Sequence, residues 1–310
     1  MSASSDVVGS ADATSQFTLG RNQYGKAGNH VVRITRDTDR HVIEDLTVVS
    51  QLHGDFETCH TEGDNSHCVA TDTQKNTVFS FARDGVGSPE AFLLRLGDHF
   101  TSDFEWVTGG RWAAEQNFWE RIPVDGKEHD HAFVQNKTET RTAVLVIDES
   151  GPHLVAGLKN LTVLKSTGSE FHGFPRDKYT TLVETNDRIL STDVAAYWRY
   201  DTTSVDFNAA YADIRRILLE TFASVHSLAL QQTLYQMGTN VLAAHSEVID
   251  IRLSMPNKHH FVVDLNPFGQ DNPNVVFWAA DRPFGLIEGT VKRTGADDDL
   301  AQWQSILNFC

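Results

Sequence analysis

The fold is decided by the stretch DFNAAYADIRRILLETFASVHSLALQQTLYQMGTNV, residues 206–241. Asp206 opens the first predicted helix, whose apolar face is Phe207, Tyr211, Ile214, Leu218 and Phe222. The apolar residues of both runs return every three or four positions, which is the period of an amphipathic helix. The second run consists of Leu230, Leu234, Met237 and Val241. The stretch therefore predicts two consecutive helices, each with one face directed at a core.

Strand patterns surround these two helices. Residues 154–166 and 193–200 are predicted as strands before them, separated by a long polar segment that carries Phe171, Phe174 and Arg188. Residues 249–254 and 261–265 are predicted as strands after them, with a polar corner at Met255-Pro256-Asn257-Lys258-His259-His260 between the two. In an extended segment Asn257 and His259 would point to the same side.

The first half of the chain has the same order of elements. Strands are predicted at 30–35, 42–52, 111–122 and 142–147. One helix is predicted to be capped by Thr71 or Asp72 and to continue through residue 81, and another to begin at Ser88-Pro89-Glu90. The order strand, strand, helix, helix, strand, strand therefore occurs twice. This order indicates an α+β fold with helices on one face of an antiparallel sheet.

This order divides the chain into units 21–150 and 151–300, flanked by a disordered N-terminal tail, 1–20, and a C-terminal tail, 301–310. The boundary at 148–152 is short, so the two units are expected to pack as one body. Helices on one face leave the other sheet face uncovered, and another copy of the chain is the usual cover. The plan therefore predicts a homo-oligomer.

Composition excludes several classes of protein. The chain has 310 residues and a formal net charge of -16, from 26 basic and 42 acidic residues. Such a charge repels phosphate backbones and anionic bilayers, which argues against nucleic-acid and membrane partners. The three cysteines form no C-x-x-C pair, and the N-terminus lacks the basic and apolar regions of a secretion signal. A cytoplasmic location is expected.

Searches for common catalytic motifs find no P-loop, no complete G-x-G-x-x-G and no G-x-S-x-G. His129 and His131 have a metal-like spacing, and His53, His60 and His67 recur every seven residues. A spacing of seven would align histidines only on a helix, which Gly54 and Gly63 make improbable there. The His129–His131 pair lies in a polar segment with no nearby carboxylate-rich helix, whereas a structural metal centre needs three or four ligands. No metal site is predicted.

Six separated strings point to one family. They are NQYGK at 22–26, VATDTQKNT at 69–77, LTVLKSTGSEFHGFPRDKYTTL at 161–182, ETNDRIL at 184–190, LQQTLY at 230–235 and PNKHHF at 256–261. In this order, and over nearly the whole chain apart from its N-terminal tail, the sequence closely resembles urate oxidase (uricase).

The resemblance implies two tandem T-fold (tunnelling-fold) units and a homotetramer around a tunnel. It also implies oxidation of urate by O2 to 5-hydroxyisourate and hydrogen peroxide, in purine catabolism, with no metal or organic cofactor. Active sites are implied at interfaces between chains. The sequence lacks the S-K-L ending of peroxisomal members, which favours a bacterial-type cytoplasmic enzyme.

The resemblance also assigns the site residues. Lys26, Thr71 and His259 are implied as the catalytic proton relay. The implied substrate-binding residues are Thr71, Asp72, Phe171, Arg188, Leu230, Gln231 and Asn257. Arg188 and Gln231 match the polar edge of urate, Phe171 its ring face, and Asn257 the position of O2. Main-chain groups of Thr71, Asp72 and Leu230 complete the in-plane hydrogen bonds.

Two rivals remain open at this point. A purine- or pterin-binding T-fold protein without oxidase activity would need Arg188, Gln231 and Phe171 but not the relay. A T-fold metal hydrolase acting on a pterin precursor would need a bound metal. Turnover of urate separates both from an oxidase.

Overall fold

The structure, a computed structural model, describes residues 18–297 and Trp303. It contains an antiparallel sheet of eight strands that lie in chain order. The strands are β1 (Tyr24–Thr35), β2 (Val42–Gly54), β3 (Val107–Val124), β4 (Lys127–Asp148), β5 (Gly151–Lys165), β6 (Leu190–Tyr200), β7 (Val248–Val262) and β8 (Phe277–Lys292). The helices are α1 (Glu57–Thr61), α2 (Thr71–Arg83), α3 (Pro89–Asp103), α4 (Phe207–Ser224) and α5 (Leu230–Ala244), with a 3-10 turn at Asn266–Phe268.

The predicted repetition of elements is confirmed. Two strands, two main helices and two strands occur in each half, and the first half adds the short helix α1. The halves meet at a tight turn where Asp148 pairs with Gly151, so the sheet runs without interruption from β1 to β8. No helix among the described residues is long and apolar enough to cross a membrane. Most of the predicted tails, 1–17, 301–302 and 304–310, lies outside the described residues.

The helices cover the sheet through the apolar faces that the sequence predicts. On α3 the side chains of Phe92, Leu93, Leu96 and Phe100 are fully buried. On α5 the buried side chains include the predicted Leu230, Leu234, Met237 and Val241. Each such side chain contributes about 1.5–3 kcal/mol by leaving water. Truncating one, for example Leu96→Ala, would cost about 2–5 kcal/mol because a cavity is left behind.

The helix cap predicted at Ser88 is confirmed, the one predicted at Thr71 or Asp72 is wrong, and the structure adds a cap at Asp206. Ser88 Oγ accepts from Ala91 N at 3.1 Å, and Asp206 Oδ1 accepts from Ala209 N at 3.0 Å. Neither Thr71 nor Asp72 caps α2, because the helix already begins at Thr71 and Ala70 occupies the cap position without a side-chain hydrogen bond. The Thr71 hydroxyl is therefore not used as a cap.

The end of the second half differs from the prediction. Residues 261–265 are not a separate strand, and 255–260 is not a corner, because β7 continues through Pro256 to Val262. Pro256 pairs in register with Leu286, and a register shift follows between Asn257 and His259. A bulge of this kind lets a strand accommodate a residue that cannot donate to the ladder. The closing strand is β8, which the sequence pattern did not predict.

A buried ion pair ties the two halves together on the helical side. Arg141 on β4 donates to Glu90 at 2.7 Å, and both side chains are almost fully buried. The same guanidinium donates to Asn208 Oδ1 and to the Phe207 carbonyl, at the start of α4. Removing one partner of such a pair costs about 3–5 kcal/mol, because the other is left buried and charged. The pair fixes the start of α4 against α3.

Candidate functional site

The segment between β5 and β6 forms a closed loop around Phe171. Phe171 N donates to Thr185 O at 2.8 Å and Thr185 N donates to Phe171 O at 3.0 Å. The guanidinium carbon of Arg188 lies 5.2 Å from the centre of the Phe171 ring. The loop therefore places a cation beside an aromatic face.

Arg188 is held by a neutral group rather than by an acid. Its main-chain N donates to Ser169 O at 2.9 Å, and Nε donates to Ser169 Oγ at 3.3 Å. Burial lowers its pKa from the ordinary value. No ion pair to a carboxylate is found for Arg188 in the described part of the chain. A partly desolvated guanidinium with spare donors is suited to a planar anionic ligand.

The start of α5 is attached to the same loop. Glu170 N donates to Ser227 O at 2.7 Å, and Ser227 N donates to Gly168 O at 2.9 Å. Three residues later α5 begins at Leu230, whose side chain is buried in the core, while the side chain of Gln231 is exposed. The first main-chain N–H groups of a helix have no partner within it and favour an anion. Gln231 and these N–H groups thus belong to the same region as Phe171.

Strand β7 brings Asn257 and His259 to this side of the molecule. Asn257 is 8% exposed and pairs in register with Thr192 on β6 and Gly285 on β8. The pKa of His259 is lowered below its ordinary value of 6.5, first by burial and then by the positive charge of Arg188. His259 and Arg188 therefore share one electrostatic environment. We call the set Phe171, Arg188, Leu230, Gln231, Asn257 and His259 the second-half cluster.

Lys26 lies near the start of β1, opposite Ser50 on β2. The strand bulges between Lys26 and Asn29, where the Asn29 side chain donates to Lys26 O at 3.2 Å and to Val48 O at 3.0 Å. Gly28 supplies the turn with a φ of 67°, a backbone conformation that favours glycine. The position of Lys26 is therefore set by a buried asparagine.

The start of α2 packs against this part of β1 and β2. Tyr24 Oη donates to Val69 O at 3.1 Å, and the buried Ser50 Oγ donates to Gln74 Oε1 at 2.9 Å. The charge of Lys26 contributes to lowering the pKa of Asp72, after the larger effect of the hydrogen bond from Lys75. Lys26, Thr71 and Asp72 are therefore neighbours, and we call them the first-half cluster.

One chain does not bring the two clusters together. Lys26 is on the first strand of the sheet and His259 on the seventh. Six strand spacings amount to about 29 Å across the sheet. The candidate site residues thus form two groups, each with its own surroundings.

The histidines that the sequence singled out lie elsewhere. The rings of His129 and His131 are 4.5 Å apart on β4, and His53 Nδ1 and His60 Nδ1 lie within 2.9 Å of main-chain carbonyls. No group of three or more histidine, cysteine, aspartate or glutamate side chains among the described residues is arranged to hold a metal ion.

Sequence reasoning missed a contact at the second-half cluster. Glu170 bridges His172 and His226. The spacing of Glu170 and His172 is visible in the sequence, but His226 lies 56 residues from Glu170 and joins only through the fold. No local pattern could have found it.

Comparison with known proteins gives a consistent set of relatives. The family model described as Uricase matches residues 22–146 and 154–288, one segment in each half. The uricase of Arthrobacter globiformis is 64% identical over 295 residues, covering 95% of this chain and 96% of the relative. The uricase of Aspergillus flavus is 38% identical over 295 residues, covering 90% and 98%.

Solved structures of uricases have a similar fold. The crystal structure of uricase from Arthrobacter globiformis superposes with a TM-score of 0.89 at 64% identity, covering 93% of this chain and 99% of the other. Urate oxidase from Bacillus sp. TB-90 superposes with a TM-score of 0.76 at 24% identity, covering 88% and 100%. The second likeness shows that the fold is shared where the sequences have diverged.

Proposed function

The chain belongs to the uricase family and oxidises urate, and from that premise we propose that each active site is built from two copies of the chain. One copy contributes the first-half cluster and its neighbour contributes the second-half cluster. The observation that carries the proposal is Arg188, a partly buried cation that lies over the Phe171 ring and is bonded to Ser169, which pairs with Ser227 just before α5. Completing the site then requires the first-half cluster of another copy.

The second-half cluster binds the ring of urate. Arg188 donates two hydrogen bonds to one edge of the anion, and the Gln231 amide pairs with an adjacent carbonyl and N–H. Phe171 stacks on the ring face, which is worth about 0.5–1.5 kcal/mol beyond the area it buries. The Leu230 main chain, together with the main chains of Thr71 and Asp72 from the other copy, completes the in-plane contacts.

The chemistry takes place above the ring. Asn257 holds O2, and later the peroxide or water that replaces it. Two electrons pass from deprotonated urate to O2, giving 5-hydroxyisourate after water adds, and hydrogen peroxide. Urate supplies these electrons itself, so the reaction needs no cofactor. The protein contributes orientation and a dry pocket.

Lys26, Thr71 and His259 move the protons. The Thr71 hydroxyl is too weak an acid to lose its proton without a neighbouring acceptor. Lys26, from the same cluster, is that neighbour. The lowered pKa of His259 keeps its imidazole neutral at physiological pH, so it can accept a proton and pass it on.

The assembly follows from the edges of the sheet. Strands β1 and β8 are the two ends of the described sheet, and each pairs with a single neighbouring strand. Edge strands left open invite pairing with another chain. In the proposed assembly, β1 and α2 of one copy lie beside β7 and β8 of the next. This arrangement brings the first-half cluster to the second-half cluster and closes the sheet. We propose a homotetramer of chains with units 21–150 and 151–300, located in the cytoplasm.

The test is a spectrophotometric assay with urate under air. The expected result is loss of the near-ultraviolet absorbance of urate, with matching O2 consumption and peroxide formation, unchanged by a metal chelator. Binding of urate without O2 consumption would contradict the proposal and favour a carrier. Loss of turnover on chelation would favour the metal-dependent rival.

A further inference from the structure

Glu170 uses both of its carboxylate oxygens on histidines from two different segments. Its Oε2 lies 2.8 Å from His172 Nε2, and its Oε1 contacts His226 Nε2. The Glu170 side chain is 18% exposed, while the two imidazoles are about half exposed. Hydrogen bonds from His226 and then His172 lower the pKa of Glu170. The three side chains form one bridge, which we call the Glu170 bridge.

The bridge joins the loop around Phe171 to the approach to α5. His226 precedes Ser227, whose carbonyl already accepts a hydrogen bond from Glu170 N at 2.7 Å. The same segment leads within a few residues to Leu230 and Gln231. Side-chain and main-chain hydrogen bonds therefore both connect the loop around Phe171 to the segment before α5.

The bridge also determines which way Phe171 faces. Phe171 is paired with Thr185 through two main-chain hydrogen bonds, which keeps this stretch extended. In an extended stretch residues 170 and 172 point to one side and residue 171 to the other. A bond between the side chains of Glu170 and His172 therefore holds the Phe171 ring on the opposite side, where Arg188 lies 5.2 Å from its centre.

We propose that Glu170 is a positioning residue for urate: the bridge from His172 through Glu170 to His226 fixes the Phe171 ring relative to the first turn of α5. The proposal rests on the proposed role of Phe171 as the surface on which the ring of the substrate stacks. Glu170 itself touches neither urate nor O2. Its loss should weaken binding of the purine ring and leave the chemical step almost unchanged.

The test compares Glu170→Ala and Glu170→Gln in the full chain, with Asp103→Asn as the matched control. Asp103 forms a histidine–carboxylate pair with His99 on α3, at 2.9 Å, in the other half of the chain. The measurements are KM and kcat for urate, and the Kd for xanthine, a purine that lacks the oxygen at C8. Unfolding midpoints of all variants are recorded.

Glu170→Ala should raise KM for urate and Kd for xanthine together, by about fivefold, the size of one modest contact. The change in kcat should stay below about twofold, as expected when binding alone is lost. Glu170→Gln should recover part of the affinity, since an amide oxygen can still accept from one histidine. Glu170→Ala/His226→Gln should cost no more than Glu170→Ala alone, because both remove the same bridge.

An unchanged KM and Kd in Glu170→Ala, or a fall in kcat at unchanged KM, would overturn the proposal. So would a Glu170→Gln variant no better than Glu170→Ala, or the same loss in Asp103→Asn. If Glu170→Ala does not fold, His172→Gln, which removes one of the two half-exposed ends of the bridge, gives the same comparison. Failure of the unaltered chain to oxidise urate would contradict the proposed function instead, and the xanthine affinities would still decide the role of Glu170.

Discussion

The two clusters differ in what surrounds them. In the second-half cluster a loop, a helix start and a strand converge. Arg188 lies over the Phe171 ring, and its charge contributes to lowering the pKa of His259. In the first-half cluster Lys26 lies on an edge strand beside the start of α2. The three residues of this cluster include no aromatic side chain and no guanidinium. Under the proposed mechanism, the second-half cluster supplies most of the purine recognition, and the first-half cluster supplies Lys26 and Thr71, two of the three relay residues. Variants of each cluster should therefore fail in different ways.

The largest effect is expected from Arg188→Gln. It removes a charge-assisted contact to the anion, worth about 2–5 kcal/mol, so kcat/KM should fall by about thirtyfold to several thousandfold. Xanthine binding should weaken by a similar factor. Steady-state kinetics and a binding titration check this, and unchanged xanthine affinity would remove Arg188 from the recognition set.

Thr71→Ala is expected to separate binding from chemistry. Loss of the relay hydroxyl should lower kcat by more than about tenfold, with xanthine affinity nearly unchanged, as for a contact made in the transition state. Because Ala70 and not Thr71 occupies the cap position of α2, the unfolding midpoint of Thr71→Ala should equal that of the unaltered chain. Equal losses of kcat and xanthine affinity would mean that Thr71 is structural.

The pH dependence should report His259. The pKa of His259 in the folded chain lies below 6.5, its ordinary value. The unfolded chain therefore takes up this proton more readily than the folded chain does. As a result, the free energy of unfolding declines as the pH falls from 6.5 through the folded pKa. If neutral His259 accepts a proton in the reaction, the acid limb of kcat/KM should also lie below 6.5. His259→Asn should abolish that limb, as a pH–rate profile would show. Survival of the limb in this variant would assign it to another group.

The smallest effect is expected from Asp72→Asn. Only the main chain of Asp72 is proposed to bind urate. Its exposed carboxylate accepts hydrogen bonds from Lys75 and Asn76. The substitution should change kcat/KM by less than about twofold, since exposed pairs contribute little. A tenfold loss would show that the carboxylate takes part.

Elements with a clear period could be predicted from the sequence. The apolar faces of α3 and α5 lie where the spacing of Phe92, Leu96, Leu234 and Met237 puts them, because helical period and burial agree there. Strand β8 could not be predicted, since Arg282-Pro283 and two glycines interrupt its pattern. Its hydrogen bonds come from pairing with β7, the preceding strand, across the connection 263–276.

The candidate site was predicted only through the resemblance. The types of residue at Arg188 and Gln231 suit a purine anion, but nothing in their spacing reveals that the loop carrying Arg188 is bonded to the segment that leads to Gln231. That proximity depends on the contact between Ser169 and Ser227, 58 positions apart. The division into two clusters likewise depends on sheet order, which puts Lys26 and His259 six strands apart.

The central claim, that each site draws on two chains, is tested most directly by co-expressing Lys26→Ala and Arg188→Ala chains in equal amounts. Each variant alone should be nearly inactive. In mixed assemblies an intact site forms wherever an Arg188→Ala chain supplies Lys26 and a Lys26→Ala chain supplies Arg188, so about a quarter of the sites should be active. Activity near that fraction is the predicted result, and mixed assemblies as inactive as the separate variants would contradict the account.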